Sequence, residues 1–384
     1  MIQPREVLTR RKLVVCVGSG GVGKTTTAAT MGLWAARQGR KVLVMTIDPA
    51  RRLANSLGLK EFGNTETQIV VPDLPQGGQL WAMMLDTQTT FDELIQRMAP
   101  DKRTADRILT NRIYRTMSDT FAGSQEYMAA EKLYDVMTSG RYDLVVLDTP
   151  PVKNALDFFE APGRLSRFFD RRVIKWFLQP YEEKRSFNPL AAGTSAVVFK
   201  LLSFIFGKEF LGDISEFLVL FKDMYDGFRE RHEEVLRIFR SPDTSFVTIA
   251  APTEPSMEVA GFFAEELRRR GYPRAGMIVN QVHLCAEEPL EPEILLGQAA
   301  RTTGADLHER TAASLVARLG AAHGRLRQLA HSERVLIQAL HKINPAGAFF
   351  VELPWLEQQV YDLGALRVVA ESLFAEAQSD GAPR

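Results

Sequence analysis

Seven runs of mainly apolar residues recur along the chain, and none of them alternates regularly between apolar and polar positions. Such runs are typical of strands buried on both faces, and helical patterns such as Lys24–Gln38 and Glu258–Arg270 follow several of them. The pattern therefore predicts a doubly wound, mostly parallel α/β sheet with helices on both faces. The predicted strands are Leu13–Val17, Val42–Ile47, Leu80–Leu85, Leu144–Leu147, Phe246–Ala251, Met277–Val282 and Phe349–Leu353.

The uneven spacing of these runs predicts that helical insertions interrupt the sheet core. About two helices' worth of sequence separates Leu85 from Leu144, and a longer helical stretch follows Pro151. A third helical stretch lies before the last predicted strand. We assign residues 1–88, 139–160, 241–285 and 346–384 to the core, and residues 89–138, 161–240 and 286–345 to a helical insertion, a helical subdomain and a helical segment.

Composition and charge indicate an ordinary soluble chain without a general attraction to polyanions. The chain has 384 residues, of which 45% are hydrophobic and 24% charged, and its formal net charge is zero. No overall field draws it to nucleic acid, so we expect no nucleic-acid partner. The two cysteines, Cys16 and Cys285, are far apart, which disfavours a disulfide framework and favours a reducing compartment.

The most apolar segment, Ser195–Gly207, is too short to span a bilayer and carries Lys200 near its centre. It is better interpreted as a buried or interfacial helix. The residues before the first predicted strand contain no stretch typical of a signal peptide. We therefore expect a cytoplasmic protein, or one peripheral to a membrane, without an integral membrane segment.

The stretch Gly18–Thr25 reads GSGGVGKT, follows a predicted strand and opens a predicted helix. In this spacing, glycines let backbone N–H groups surround phosphate oxygens, the lysine pairs with the outer phosphates and the threonine hydroxyl ligates Mg²⁺. The alternative is a tight glycine turn with a solvated lysine. The spacing and context favour a nucleoside triphosphate site, with Gly18, Ser19, Gly20, Gly21, Val22, Gly23, Lys24, Thr25 and Thr26 as its binding residues.

Two aspartates follow predicted strands and are expected at the same edge of the sheet as this loop. Asp148 ends the run LVVLD, where a carboxylate can hold magnesium through its water shell. Asp48 lies in TIDPARRL and could orient an attacking water. The alternative for either residue is a helix cap, which Pro49 supports in the second case. The expected metal residues are Thr25, Asp48 and Asp148.

The segments GSGGVGKTT, TIDPARRL, LWAMMLD, LDTPPVKNALDFFEAP and IVNQV, in this order, resemble the ArsA/GET family. That family comprises the ATPase of the arsenite efflux pump and the ATPase that targets tail-anchored membrane proteins. The resemblance implies ATP and Mg²⁺ as cofactors, Asp48 as the water-orienting carboxylate of the first switch and Asp148 at the start of the second. It also implies that Asn280 reads the adenine and that residues around Pro354 close over the base.

Ser19 departs from the family pattern. Members carry a signature lysine at this position, which reaches the partner's phosphates across a nucleotide-bridged dimer, so this chain resembles a bacterial branch without that lysine. Arg51 or Arg52 could supply the missing charge, since an arginine can stabilise the same developing negative charge. Alternatively, both arginines are solvated, or the chain is a slow subunit that pairs with a lysine-bearing paralogue. Lys24, Asp48, Arg51 and Arg52 are thus the candidate catalytic residues.

The remaining sequence bears on partners. A single phosphate loop requires two chains for two sites, and the absence of a Cys-x-x-Cys pair argues against structural zinc. The stretches Arg164–Phe177 and Phe199–Phe221 mix large apolar residues with charges, which suits a groove for a hydrophobic client, a membrane-surface contact or, as we favour, a subdomain core. We expect an ATPase cycle coupled to an anion transporter or a hydrophobic client; a small-molecule kinase is the weaker alternative.

Overall fold

The computed structural model describes residues 2–48, 52–57, 63–120, 124–150, 208–222, 224–285, 294, 309–356 and 360–375. Eight strands in these ranges form a single sheet in the order β3-β4-β2-β5-β1-β6-β7-β8. The strands are β1 (Leu13–Val17), β2 (Lys41–Thr46), β3 (Thr67–Ile69), β4 (Gln79–Met84), β5 (Leu144–Asp148), β6 (Thr244–Ala250), β7 (Arg274–Val282) and β8 (Phe349–Pro354).

Helices flank this sheet and connect most of its strands. They are α1 (Pro4–Arg10), α2 (Lys24–Arg37), α3 (Arg52–Ser56), α4 (Thr87–Met98), α5 (Lys102–Thr110), α6 (Arg112–Thr120), α7 (Ser124–Thr138), α8 (Lys208–Lys222), α9 (Tyr225–Arg240), α10 (Glu254–Arg270), α11 (Glu309–Ile343) and α12 (Leu363–Leu373). The predicted fold class is confirmed: the sheet is mostly parallel and helices cover it. All seven predicted strands are present, and the one antiparallel pair joins the unpredicted β3 to β4.

The central strands are continuously apolar because successive side chains enter two different cores. Leu13 and Val15 of β1 belong to the cluster that includes helices α4 to α9. Val14 and Cys16 belong to the cluster on the other face, which includes α2 and α12. Helix α2 lies very close to the sheet, since a Cβ on Gly32 would approach Val44 Cγ2 to 2.3 Å. This packing fixes the helix that follows the glycine loop.

Between β4 and β5 the chain forms four helices, α4 to α7, rather than the two helices' worth expected. Asp86 and Asp101 explain part of the difference, because each side chain accepts a hydrogen bond from a backbone N–H in the first turn of a new helix. Asn111 acts similarly before α6, where its Oδ1 accepts from the backbone N–H of Ile113 at 2.9 Å. Short polar caps therefore divide the insertion more finely than its apolar pattern indicates.

Helix α8 contains the described residues of the stretch Phe199–Phe221, which the sequence suggested as a groove for a hydrophobic client. Most of its large apolar residues face the core. Phe217 and Phe221 are buried, with ring centroids 5.2 Å apart, and Phe221 stacks on Phe228 of α9. Phe210 and Val219 are exposed. The segment Arg164–Phe177 and the apolar segment Ser195–Gly207 lie outside the described residues. In the parts of the chain that the structure describes, no helix is both long and apolar enough to cross a bilayer.

Candidate functional site

The carboxyl ends of β1, β2, β5, β7 and β8 meet at a cavity of about 570 Å³. This is the edge of a parallel sheet at which ligands bind in open α/β folds, and the volume suits a small organic ligand. Many of the residues predicted for the site line it, together with Thr149, Gln281, Trp355 and Tyr361. The predicted residues in its lining are Gly21, Gly23, Lys24, Thr25, Thr26, Asp48, Asn280 and Pro354.

The glycine loop between β1 and α2 depends on two positions without a side chain. A Cβ on Gly18 would lie 2.0 Å from the backbone oxygen of Ile249 in β6, so no larger residue fits there. Gly23 precedes α2 with φ +89°, and a Cβ on it would lie 2.3 Å from Asn280 Nδ2. These glycines let the loop pass close to β6 and β7 and present its backbone to the cavity.

Lys24 is the first residue of α2 and only 7% exposed. Its Nζ donates to the backbone oxygen of Ser19 at 2.7 Å, so the side chain folds back along the loop. The ammonium group adds a positive charge to the backbone N–H groups of the loop and the N-terminus of α2. An anion is therefore the ligand that this arrangement favours.

Asp148 receives two hydroxyl donors at the carboxyl end of β5. Thr25 Oγ1 donates to Asp148 Oδ2 at 2.6 Å and Thr46 Oγ1 donates to the same oxygen at 2.9 Å. The strand register explains the second contact, because Thr46 of β2 pairs directly with Asp148. The first threonine of the helix and the last aspartate of β5 are thereby held together, as magnesium sites of this kind require.

The electrostatics of Asp148 fit a magnesium site. Its Oδ1 is buried and accepts no hydrogen bond from any described residue. Burial raises the pKa of Asp148 to about 6, the hydroxyl of Thr25 and the charge of Lys24 oppose that rise, and the nearby charge of Asp48 adds to it. An unsatisfied buried carboxylate oxygen beside a hydroxyl and a second carboxylate is a hard, all-oxygen donor set, which Mg²⁺ prefers.

Ser19 is anchored to α10. Its hydroxyl donates to Ser256 Oγ at 3.2 Å, and Ser256 in turn accepts from the backbone N–H of Ala251 at 2.9 Å. Ser256 is buried in the first turn of α10. Ser19 thus makes a contact within its own chain, which ties the loop to the end of β6.

We expect Ser256→Ala to lower the free energy of unfolding by about 1 kcal/mol, because the N–H of Ala251 and the hydroxyl of Ser19 both lose their buried partner. Denaturant unfolding would measure the change. Ser332→Ala removes a hydroxyl that donates to Leu329 O at 2.8 Å on an exposed helix surface, and serves as the matched control. Equal losses in the two variants would show that the Ser19–Ser256 contact does not stabilise the loop.

The ends of β7 and β8 form one side of the cavity. Asn280 Nδ2 donates to the backbone oxygen of Val22 at 2.9 Å, and Gln281 Nε2 donates to that of Gly21 at 3.2 Å. Both side chains therefore support the loop as well as line the cavity. Pro354 ends β8, and the exposed ring of Trp355 stacks on His283 with centroids 5.2 Å apart.

The candidate first switch is described only in part. Asp48 is half-buried, lines the cavity and donates its backbone N–H to Thr46 Oγ1 at 3.3 Å. Gln125 of α7 holds the preceding residue, since its Nε2 donates to the backbone oxygen of Ile47 at 2.7 Å. Arg51 lies outside the described residues. Arg52 begins α3, and its side chain also lies outside them.

Sequence reasoning missed Thr46, Thr149, Gln125, Ser256 and Gln281. Thr46 could have been found because it is the single polar residue in the run Val42–Ile47, which directly precedes Asp48. Gln281 directly follows Asn280, and its φ of +65° points to a special local role. No local signal marks Gln125 or Ser256, whose partners are distant in sequence.

A phosphate loop between a central parallel strand and a helix, with an aspartate at the end of the adjacent strand, defines the P-loop nucleoside triphosphatase class. A family model described as "Anion-transporting ATPase" matches residues 11–295. The chain belongs to this family, as the resemblance to ArsA/GET proteins implies.

Individual relatives are distant. The chain is 26% identical over 296 residues to ATPase GET3C of Arabidopsis thaliana, an alignment that covers 72% of this chain and 68% of that protein. It is 24% identical over 292 residues to ATPase GET3B of the same plant, covering 71% and 65%. With ATPase get3 of Schizosaccharomyces pombe the identity is 27% over 159 residues, covering 41% and 46%.

The chain has two cysteines, Cys16 and Cys285. Cys16 is buried in β1, and Cys285 is half-buried after β7. Across the described ranges, no three histidine, cysteine or acidic residues gather in a way that could hold a metal ion. Burial raises the pKa of the Cys16 thiol far above its usual range, with the charge of Asp148 adding to the effect. A reactive thiolate is thus disfavoured at that position.

Proposed function

We propose that the protein is a magnesium-dependent ATPase that couples hydrolysis to a conformational cycle. The observation that carries the proposal is the joint placement of Lys24, Thr25 and Asp148 at the carboxyl edge of the sheet, with Thr25 bonded to Asp148 at 2.6 Å. Membership of an ATPase family supports it. The family resemblance is the reason for preferring adenine to guanine as the base. The guanine-reading sequence Asn-Lys-x-Asp does not occur in the chain.

Each part of the reaction has a candidate group. Loop amides from Ser19 to Thr25 would bind and orient the phosphates, and Lys24 would leave the Ser19 carbonyl to pair with their outer oxygens. Asp48 would orient the attacking water, which makes it the residue that positions the nucleophile. Asn280 and the residues around Pro354 would contact the base.

Thr25, Asp148 and Asp48 would hold Mg²⁺ in this reaction. The ion supplies charge neutralisation at the transferring phosphoryl group. Asp148 suits this role because burial disfavours its ionised form when no cation is near, and one of its oxygens has no hydrogen-bond donor among the described residues. A bound cation would stabilise the ionised carboxylate. Thr25 and Thr46 fix the orientation of this carboxylate from two sides.

We propose a nucleotide-controlled dimer, because one chain carries one phosphate loop and the family resemblance implies that two loops face each other. The partner is a second copy or a lysine-bearing paralogue. Hydrolysis would release the segments after Asp48 and Asp148 and move the helical insertion. Gln125 would transmit this movement from the first switch to the helical insertion, since it contacts Ile47 and belongs to α7, which packs against α9.

The output of the cycle has two candidates. Relatives named as GET3 ATPases support a hydrophobic client held by the helical subdomain. The family description supports coupling to an anion transporter instead. A hydrophobic dye that binds in one nucleotide state would favour the client; activity that depends on a membrane partner, without such a change, would favour the transporter.

The direct test is calorimetry of ATP with magnesium, followed by phosphate release and sedimentation with ATP, ADP and a non-hydrolysable analogue. We expect binding, slow phosphate release without any added acceptor, and a larger species with the analogue than with ADP. Turnover that appears only with an added small-molecule acceptor would indicate a kinase. Absence of binding heat and of phosphate release would overturn the proposal.

We expect Arg51→Ala or Arg52→Ala to lower ATP turnover by at least about a hundredfold if that arginine replaces the signature lysine, because a missing cation leaves the developing phosphoryl charge unstabilised. ATP affinity should change much less, which separates this role from binding. Arg10→Ala, on the exposed face of α1 and outside both cavities, is the control. Two unaffected variants would remove the compensation hypothesis and favour a slow subunit paired with a paralogue.

A further inference from the structure

A second cavity, of about 390 Å³, lies between α1, the C-terminal half of α2 and α12. It shares no lining residue with the cavity at the glycine loop. Helix α2 separates the two, because its first residue lies in the loop and its last residue, Arg37, lines the second cavity. With 14 residues, α2 sets the two cavities about 20 Å apart.

One side of this second cavity, its floor, is apolar. The rings of Trp34 and Phe374 stack with centroids 4.4 Å apart and an interplanar angle of 24°. Leu33 and Ala370 are buried beside them, at 2% and 7% exposure. The two stacked rings form an apolar surface against which a ligand can pack.

The wall is cationic. Arg5, Arg37 and Arg367 come from three different helices and line the same cavity, with Glu371 as the one acidic residue among the described residues that line it. Glu371 accepts from Arg367 Nε at 3.2 Å, and Arg5 Nη2 donates to the backbone oxygen of Phe374. Arg37, which is half-buried, has no ion-pair or hydrogen-bond partner among the described residues.

The described lining residues carry three guanidinium groups and one carboxylate, so their summed charge is positive. A guanidinium recognises a carboxylate or phosphate group through two parallel hydrogen bonds. Arg37, which lines the cavity, is available for such a contact. The wall and the floor together therefore select an anionic head joined to an apolar body.

We propose that this second cavity binds a small amphipathic anion, with a carboxylate or phosphate head held by Arg37 and an apolar body on the Trp34–Phe374 pair. The site is independent of the proposed ATPase function. A ligand there would contact the C-terminal end of the same helix that presents Lys24 to the glycine loop. Soluble metabolites and membrane lipids both offer this chemistry.

Calorimetric titration of octyl phosphate and octanoate tests the proposal, with inorganic phosphate and octanol as probes that each lack one half of the ligand. We expect the two amphiphiles to bind at least about tenfold more tightly than either half. They should also change the fluorescence of Trp34, and Trp34→Phe should abolish that change. Equal affinity of octanol and octyl phosphate would overturn the proposal.

Arg37→Gln should weaken octyl phosphate binding by about tenfold or more, because it removes a charged hydrogen-bond donor. Arg10→Gln, on the exposed face of α1, is the control and should leave binding unchanged. Lys24→Ala should also leave it unchanged, which separates this site from the nucleotide site. Equal binding by wild type and Arg37→Gln would overturn the assignment.

Two further arms identify the source of the anion. Deletion of the residues after Ala375 tests whether the chain's own acidic C-terminal residues fill the cavity; octyl phosphate binding that appears only after deletion would overturn the proposal. Sedimentation with phosphatidic acid vesicles separates lipids from soluble ligands. Vesicle binding lost in Arg37→Gln supports a lipid head group, and octyl phosphate binding without vesicle binding supports a soluble anion.

Discussion

We expect Lys24→Ala to lower ATP turnover by about a hundredfold or more, and to weaken ATP binding, because no other described lysine lines the glycine-loop cavity. The ammonium group is buried and already lies along the loop on Ser19 O, so it needs only a short movement to reach a phosphate. Phosphate release under saturating ATP measures the first effect, and calorimetry measures the second.

Lys12→Ala is the matched control for this variant. Lys12 also flanks β1, but at the opposite, amino-terminal end, where its exposed side chain pairs with Asp243 at 3.2 Å. Its loss removes the same charge without reaching the cavity, so we expect unchanged turnover and a stability change below about 1 kcal/mol. Wild-type turnover by a folded Lys24→Ala protein would show that the loop does not act on a phosphate.

We expect Arg231→Ala to lower the free energy of unfolding by about 3–5 kcal/mol, because it leaves a buried carboxylate without its counter-charge. Arg231 of α9 donates to Glu131 and Asp135 of α7. The side chain of Glu131 is only 2% exposed, and burial raises its pKa while the charge of Arg231 opposes that rise. Denaturant unfolding of the nucleotide-free protein would measure the loss.

Arg229→Ala provides the control on the same helix. Its partner Glu233 is 3.9 Å away and both side chains are more than half exposed, so we expect a loss below about 0.5 kcal/mol. The double variant Glu131→Gln with Arg231→Met should recover much of the lost stability, since it removes both charges together. A similar small loss in Arg231→Ala and Arg229→Ala would mean that the α7–α9 pair is not structurally important.

The sheet could be predicted because its central strands carry apolar side chains on both faces. Val14 and Val15 enter different cores, which gives the uninterrupted runs from which seven strands were read. The antiparallel strand β3 has only three residues, TQI, and two of them are polar. A segment so short and polar forms a strand because β4 pairs with it. Its own sequence has no apolar pattern that would predict a strand.

The candidate site divides in the same way. The loop from Gly18 to Thr25 could be recognised because its chemistry depends on local spacing. The contact between Thr46 and Asp148 depends on the register of two strands that are 102 residues apart. The contact between Ser19 and Ser256 spans 237 residues. Sequence reasoning could identify the loop, Thr25 and both aspartates, but not Thr46 and Ser256, whose hydroxyl groups contact them.

The two outer strands of the sheet have a consequence for association. An unprotected outer strand offers unpaired backbone groups to another chain, which is the usual route to aggregation. Here the edge strand on one side of the described sheet is β3, which has only three residues. The edge strand on the other side is β8, which terminates in Pro354 and whose Glu352 pairs with Arg334 of α11 at 3.0 Å. Fusion of two copies into one continuous sheet is therefore disfavoured at both margins, and a dimer of this chain is expected to meet through side chains and loops instead.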